Sequence, residues 1–305
     1  MRPILRPGTH VLRRSARELQ VGLDPRHALV LDDRPGVRDL LAALTCPGQP
    51  LAYDGPELAL LRENGMLVDS GRLLPLVPGD PDAHTTLGRT DAAALARTSG
   101  DAVPDLVALR AAAPVDVVAF GGAPGELLAA RTAALLRDAG ARASALAPDA
   151  ADATAGTDRV GVLVGAGEPH RELLDAWIRA GTPHVLVRVS EGTATVGPFV
   201  TPGETACLRC VDAHHTDADP AWPLLVAQHA SATARGRPDG VPEPVDSVLA
   251  TLAVAWAARD VLSHLEGRTP SSLSGVVRLD PHLTSLETGS WLRHPDCGCG
   301  WAHGA

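Results

Sequence analysis

The sequence predicts an α/β protein with a small winged-helix-like module first, a doubly wound parallel sheet second, and a structural zinc site closing the chain. Three observations lead there. Short strand-like runs give way to two helical patterns within the first 80 residues. From about residue 114, continuous apolar runs alternate with helix-length segments. Four of the five cysteines fall in two close pairs.

The size and composition agree. At 305 residues the chain is too long for one ordinary domain and suits two. Apolar residues make up 45%, enough for a sizeable core, and charged residues 21%, too few for general disorder. The net charge is −9, so nucleic acid is not an expected partner, because phosphate binding needs a cationic surface. All 27 cations are arginine. With no lysine, no side-chain amine can form a Schiff base or act as a general base, and no side-chain ammonium can bind a nucleotide phosphate. No run reaches the roughly 18 apolar residues of a membrane span. The longest, Ala250 to Ala258, is bounded by Asp246 and Arg259-Asp260, and Met1 to Arg14 holds no signal core. A cytoplasmic protein without a membrane partner is expected.

The first domain is placed at 1–80. Thr9–Arg14, Glu18–Leu23 and His27–Asp32 read as strands, separated by the turn formers Ser15–Arg17 and Asp24-Pro25. Val37, Leu40, Leu41 and Leu44 then recur at helical spacing behind Pro35. A second helix runs from Pro56 to Asn64 and stops at Gly65, and Met66–Asp69 is a short strand. Strands and helices of this size suggest a winged helix. Segment 81–113, rich in Pro, Asp, Thr and Gly at its start, reads as a linker with a helix over Asp91 to Arg97.

The second domain is placed at 114–305. Val115–Phe120 is a continuous apolar run, as a parallel strand buried on both faces requires. A helix from Glu126 to Ala139 ends at Gly140, and Ala143–Leu146 and Arg159–Val164 are strands. Glu168–Ala180 reads as a helix ended by Gly181, and His184–Val189 as a strand. Alternation of this kind predicts a doubly wound, Rossmann-like sheet. Segment 191–240 reads as irregular. Val245–Leu265 is a long helix, and Gly275–Asp280 with Leu286–Leu292 a late pair of strands.

Cys207-x-x-Cys210 and Cys297-x-Cys299 carry the strongest chemical signal. Two close thiol pairs in a cytosolic chain point to metal more than to disulfides. Pro202-Gly203 and Gly298 supply the turns that let both sulfurs of a pair face one point. Four thiolates fill the tetrahedral shell of zinc and leave no open position, which makes the site structural. A redox role for Cys207-x-x-Cys210 is disfavoured, since nothing sets it at a helix start after a strand. His214, His215, His294 and His303 are near enough in sequence to substitute, but with four sulfurs present they read as packing or surface histidines.

Gly121-Gly122-Ala123-Pro124-Gly125 stands where a dinucleotide fold keeps its phosphate loop, between strand and helix. The spacing is not G-x-G-x-x-G, Pro124 removes an N–H donor, and Glu126 adds negative charge to the first turn. Val164-Gly165-Ala166-Gly167 ends its strand without an acid for Mg²⁺ or a ribose. Gly121, Gly122 and Gly125, with Asp149 as the ribose acid, are the candidate nucleotide residues. A structural remnant is the favoured reading, and bound ATP is not expected.

The segment from Gly197 to Cys210, His214–Pro223 and the closing His294-Pro295-Asp296-Cys297-Gly298-Cys299 together resemble the ThiF/MoeB-type activating-enzyme superfamily. Within it they look most like the ThiF-like cyclodehydratase proteins of azol(in)e-peptide (TOMM, a RiPP class) biosynthesis. These are also called precursor leader-peptide-binding proteins, and they partner YcaO enzymes. The stretch from Arg2 to Gly8, continued through Asp32 to Arg34-Pro35-Gly36, is similar to that family's peptide-recognition winged helix. The resemblance implies a peptide clamp, a ThiF-type sheet with structural zinc, and a homodimer. Adenylating members use a glycine-rich loop, an Arg and a Lys on the phosphates, an acid on Mg²⁺ and often a catalytic cysteine. This chain departs at each point, and Cys46, in the turn after a helix, is a poor nucleophile candidate. No catalytic residue is assigned.

A winged-helix clamp captures a peptide by adding a strand to its sheet edge. The backbone of His27–Asp32, with Leu29 and Leu31, would form that edge, and Leu58, Leu61 and Arg62 would line the groove. The competing reading is that these leucines close the small core. Arg2, Arg6, Arg13, Arg14 and Arg17 could draw in an acidic leader peptide or simply be solvated. The leading expectation is an accessory subunit that binds a ribosomal precursor peptide and presents it to a YcaO-type cyclodehydratase. The alternatives are a divergent adenylyltransferase acting on a peptide or protein carboxylate with ATP, and a stand-alone scaffold.

Overall fold

The computed structural model describes residues 2–46, 51, 53, 55–76, 83–147, 150 and 154–299. The chain divides into two units, Met1–Ala108 and Leu109–Ala305.

In the first unit, strands β1 (Pro3–Leu5), β2 (Val11–Arg13), β3 (Glu18–Val21) and β4 (Leu29–Asp32) precede helices α1 (Pro35–Thr45) and α2 (Pro56–Glu63). Strand β5 (Leu67–Asp69) and the short α3 (Ser70–Leu73) follow. β2, β3 and β4 form an antiparallel meander, and β5 returns to pair with β1. β1 lies outside the three strands that the patterning picks out, because its partner is more than 60 residues away and its three residues are too few to show alternation.

Period-two alternation turns Leu19 and Val21 of β3 and Leu31 of β4 inward. They meet Val37, Leu40, Leu41 and Leu44 of α1, spaced to share one helix face, and Leu58 and Leu61 of α2. The expected linker contains two helices, α4 (Ala83–Ser99) and α5 (Val103–Ala112). Alanine-rich turns around Asp91–Arg97 show only part of α4 in the sequence. Ala92, Leu95, Ala96, Val103 and Leu106 bury against Val68 and Leu73.

The second unit is a seven-stranded sheet. Its elements are β6 (Pro114–Phe120), α6 (Gly122–Asp138), β7 (Arg142–Leu146), β8 (Val160–Ala166), α7 (Asp175–Ala180), β9 (His184–Ser190) and β10 (Thr193–Val200), then α8 (Leu208–Ala218), α9 (Trp222–Arg235), α10 (Ser247–Leu265), β11 (Gly275–Leu279) and β12 (Leu286–Ser290). The order is β12-β11-β10-β9-β8-β6-β7. β7, β6, β8 and β9 pair in parallel, and β10, β11 and β12 add antiparallel strands.

Both faces are covered, as the apolar runs require. Val115, Val117, Val162, Val164, Val185 and Val187 pack under Leu128 and Leu136 of α6 and Ala253, Ala257 and Val261 of α10. Val118, Leu163 and Leu186 face Leu174, Trp177 and Leu208 on the other side. α10 is the one described helix long and apolar enough to cross a membrane by length and composition. Its apolar character serves the sheet, where Leu249, Ala250, Val254 and Leu262 are buried.

Three expectations for the second unit change. Segment 191–240 is largely ordered into β10, α8 and α9. Gly197-Pro198 interrupts β10 in sequence, and α9 has Pro223 in its first turn and only Ala230 buried. A helix so exposed needs no apolar stripe, so periodicity does not reveal it. The helix expected over Glu168–Ala180 is a 3₁₀ turn at Arg171–Leu174 followed by the short α7. Pro169 biases Glu168 away from helical backbone. α6, in turn, begins at Gly122 and not at Glu126.

Gly125 is required by close approach. A Cβ there would stand 1.7 Å from the Phe120 carbonyl oxygen. Gly125→Ala is expected to cost about 3 kcal/mol or more, in line with other severe overpacking in a core. Gly88→Ala, on α4 with nothing near its Cβ position, should be neutral or stabilise by up to about 1 kcal/mol. Urea melts of the two variants test this, and equal stabilities would refute it.

Candidate metal centre and cleft

The two cysteine pairs meet. Cys207 is the N-cap of α8 and Cys210 lies in its first turn, so this pair does stand at a helix start after strand β10, against the sequence reading; what sets it apart from a redox pair is that Cys297 and Cys299 arrive beside it on the segment after β12. The four sulfurs lie within 4.8 Å of one another. Cys207 Sγ is 3.7 Å from both Cys210 Sγ and Cys297 Sγ, and Cys210 Sγ is 3.5 Å from Cys299 Sγ. A tetrahedron with arms of 2.3 Å has edges of about 3.8 Å, so these separations fit a metal such as zinc. They are far too long for S–S bonds, which need about 2.05 Å. Val200 and Ala206 pack around the sulfurs and shield them from water.

With protons as their only cations, the four sulfurs cannot ionise together. A hydrogen bond from the Cys207 thiol holds the Cys210 thiol down, with a His294 backbone contact adding to it. Cys207, as donor, is pushed up. Burial pushes Cys299 up to about 12. A divalent cation relieves the conflict: it offsets two of the four negative charges and takes a lone pair from each sulfur in place of a proton. Cys46 is exposed at the end of α1 and takes no part.

A second cluster adjoins the first. His214 and Asp217, three residues apart on α8, meet His294, and their ligand atoms also fall within 4.8 Å of one another. His214 packs on the Trp291 and His294 rings, and His294 Nε2 lies 3.0 Å from Asp217 Oδ2. His215 lies between the Trp222 and Trp291 rings, and burial lowers its pKa.

The glycine loop opens the crevice between β6 and β8, where the chain leaves the sheet in opposite directions. Gly121 has a left-handed backbone (φ 76°), and a Cβ on it would sit 2.1 Å from the Ala166 carbonyl oxygen. Gly121, Gly122, Ala123 and Pro124 border a cleft of about 730 Å³, whose far wall is the end of α9 and the segment to Pro244. That volume suits a nucleotide-sized ligand. Arg235 and Arg237 supply positive charge, and Glu191 and Glu243 oppose it. Gly125 faces the Phe120 backbone and does not line the cleft. Asp149 lies outside the described residues.

The sequence reading misses a buried charge chain at the ends of β8 and β9. Glu168, one residue past Gly167, receives both Arg188 (2.7 and 2.8 Å) and Arg171 (2.6 Å). Arg171 continues to Asp212 of α8 through two bonds of 2.6 and 2.9 Å, and Trp222 Nε1 donates to the same carboxylate. Burial opposes the charges of Arg171 and Asp212, but their mutual bonds outweigh it, raising the first pKa and lowering the second. The Glu168–Arg171 spacing was the available signal. The chain ties α8, and with it the first cysteine pair, to the end of the parallel sheet.

His184 sits behind Cys207, fully buried. Burial pushes its imidazole down to about 4, against the Thr182 carbonyl contact. The unfolded chain titrates this group near 6.5 and so binds more protons between pH 6.5 and 4. Stability should therefore fall as pH drops through that window, by up to about 3 kcal/mol. His184→Gln should flatten that part of the curve in denaturant melts, and an unchanged slope would sink the assignment.

Of the expected peptide-site residues, Leu31, Leu58 and Leu61 are buried in the core of the first unit. Leu29 packs partly against that core, and Arg62 is exposed. β4 pairs only with β3 among the described strands, leaving its other edge open, with Val30 exposed on it. Of the arginines expected to attract a peptide, Arg6 bonds the Gly65 carbonyl, Arg13 pairs with Asp33, and Arg14 bonds Gln20.

No protein-family model and no curated protein matches the sequence. Solved structures do. The heterocyclase TruD superposes with a TM-score of 0.66 at 18% identity, over 98% of this chain and 42% of its own. A heterocyclase in complex with substrate and cofactor gives 0.63 at 16%, over 97% and 39%. E. coli MccB with MccA gives 0.61 at 14%, over 99% and 100%, and E. coli MccB with ATP gives 0.60 at 14%, over 98% and 99%. The chain thus spans about two fifths of the heterocyclase chains and the full length of MccB. Over nearly its whole length the chain has a fold similar to that of MccB and of part of these heterocyclases.

Proposed function

We propose that this protein is an accessory ThiF-like subunit of a cyclodehydratase. It binds a ribosomal precursor peptide through a winged-helix module at 1–80 and presents it to a YcaO-type partner for azoline formation. The ThiF-like domain at 114–305 is the platform, joined through 81–113, and the protein acts as a homodimer in the cytoplasm. One combined observation carries the reading. The chain has the fold of a heterocyclase over 98% of its length, yet its cleft offers no lysine, and Glu168 is consumed by two arginines.

The peptide adds to the open edge of β4, where main-chain hydrogen bonds hold it. Because Leu31, Leu58 and Leu61 are turned into the core, Val30 and Arg62 are the side chains that meet the peptide, with Leu29 at the boundary. Zinc, held by Cys207, Cys210, Cys297 and Cys299, supplies a closed cross-link. Its chemistry is structural, since four thiolates leave no position for substrate.

The second reading is a divergent adenylyltransferase using Gly121 and Gly122, favoured by the 730 Å³ cleft and by the solved complex of MccB with ATP. Two measurements separate the readings. Fluorescence anisotropy with a labelled leader peptide, encoded beside the gene, should show binding that Val30→Asp weakens at least about tenfold without altering the circular dichroism. ATP–pyrophosphate exchange should stay at background. Exchange above background, or no peptide binding, would overturn the accessory reading.

A further inference from the structure

We propose that His214, Asp217 and His294 form a second divalent-metal site, with two nitrogen donors, one carboxylate and further positions for water. The ion it suits is zinc or a similar borderline transition metal, because imidazole with carboxylate selects such ions over the softer ones that thiolates favour. The site lies one helical turn beyond the cysteine cluster. It goes beyond the structural zinc, but it rests on the cysteine clamp to hold the segment around His294 against α8.

Three features support it. The three ligand atoms lie within 4.8 Å of one another, and His294 Nε2 is 3.0 Å from Asp217 Oδ2. Bond lengths of about 2.1 Å need separations near 3.4 Å, which rotation of the exposed Asp217 side chain can meet. The His214 ring is oriented: its Nε2 is 2.9 Å from the Leu292 carbonyl oxygen, so a proton there leaves the Nδ1 lone pair available. Metal-bound histidines are commonly held this way, by a second nitrogen bonded to a backbone carbonyl. Finally, the rings are braced. His214 stacks on Trp291 at 5.6 Å and meets the His294 ring edge-on at 4.8 Å.

One contact opposes binding. The Asp296 N–H points to His294 Nδ1 at 3.2 Å, and moving the ring proton to Nδ1 when Nε2 takes an ion forfeits that bond. Leaving two partly buried donors face to face costs roughly 1–3 kcal/mol, still less than three coordinate bonds supply. His294 is buried while Asp217 is exposed, so an ion enters from the Asp217 side. Occupied, the site fastens the middle of α8 to the same segment that the cysteines fasten to its start.

Cobalt(II) titration of the demetallated full chain, with elemental analysis of bound metal, tests this. Two equivalents per chain are expected. One should show intense thiolate-to-cobalt charge transfer and the other only weak ligand-field bands. His214→Ala and Asp217→Ala should each lose the weak equivalent and keep the charge-transfer one, which also reports that the variant is folded. Saturation at one thiolate equivalent, or a second equivalent that survives both substitutions, would overturn the proposal. Absence of charge transfer in the wild type would instead refute the cysteine site, a separate failure.

Discussion

Replacing Cys297 by serine, or removing the metal with a chelator, is expected to release the chain end after β12 from α8. The reason is topological. Cys207 and Cys210 are three residues apart, but Cys297 and Cys299 lie about 90 residues later, and the surrounding apolar cluster is small. Val200, Ala206 and Ile178 cannot hold that segment alone. Closing a structural zinc site contributes on the order of 10 kcal/mol in isolated peptides, so the loss should dominate any other single change here. The seven-stranded sheet has its own core, so unfolding should be local. Hydrogen exchange should rise over 291–299 and the start of α8 and stay low in β6 and β8. Because the thiols must lose protons to bind metal, retention should weaken as pH falls. Unchanged exchange after metal removal would show that the cysteines pack as ordinary apolar groups.

Arg110→Ala should destabilise the second unit by about 1.5–3 kcal/mol, because it removes charge-assisted bonds to a buried carboxylate that Arg259 still reaches. Arg110 is 1% exposed, and the Glu266 side chain is fully buried. Arg110 donates to Glu266 at 2.8 Å through Nε and 2.6 Å through a terminal nitrogen, and also to the Ala139 carbonyl oxygen at 2.8 Å. Arg259 reaches the same carboxylate at 2.8 Å. These contacts join α5, the end of α6 and the end of α10 at one point. Burial raises the Glu266 pKa, but the bonds from Arg259 and Arg110 outweigh it and hold the group low. A carboxylate depressed in the folded state stabilises above its unfolded pKa, near 4.3, and loses that contribution as pH falls below it. Arg110→Ala should therefore also reduce acid sensitivity in that range. A loss below 1 kcal/mol in urea melts would mean that water reaches the pair.

The elements legible in the sequence are those whose burial is one-sided and local. The α1 pattern of Val37, Leu40, Leu41 and Leu44 and the apolar run of β6 report directly which face meets the core. α9 was not legible because its surroundings are solvent and a cleft, and neither imposes a pattern. The charge chain from Arg188 through Glu168 and Arg171 to Asp212 was not legible either. Its members come from separate elements, and pairing in space leaves little periodic trace.

Composition and spacing alone determined that this chain has an α/β sheet, that it has no lysine side chain to use, and that its paired cysteines suit a metal. They are local properties of residue type and separation along the backbone. Only the tertiary structure decided that four sulfurs 3.5–3.7 Å apart share one point, that Leu58 and Leu61 turn into a core, and that His214 meets His294. Each of these depends on how distant segments pack, and packing is settled by the shape of the whole apolar interior.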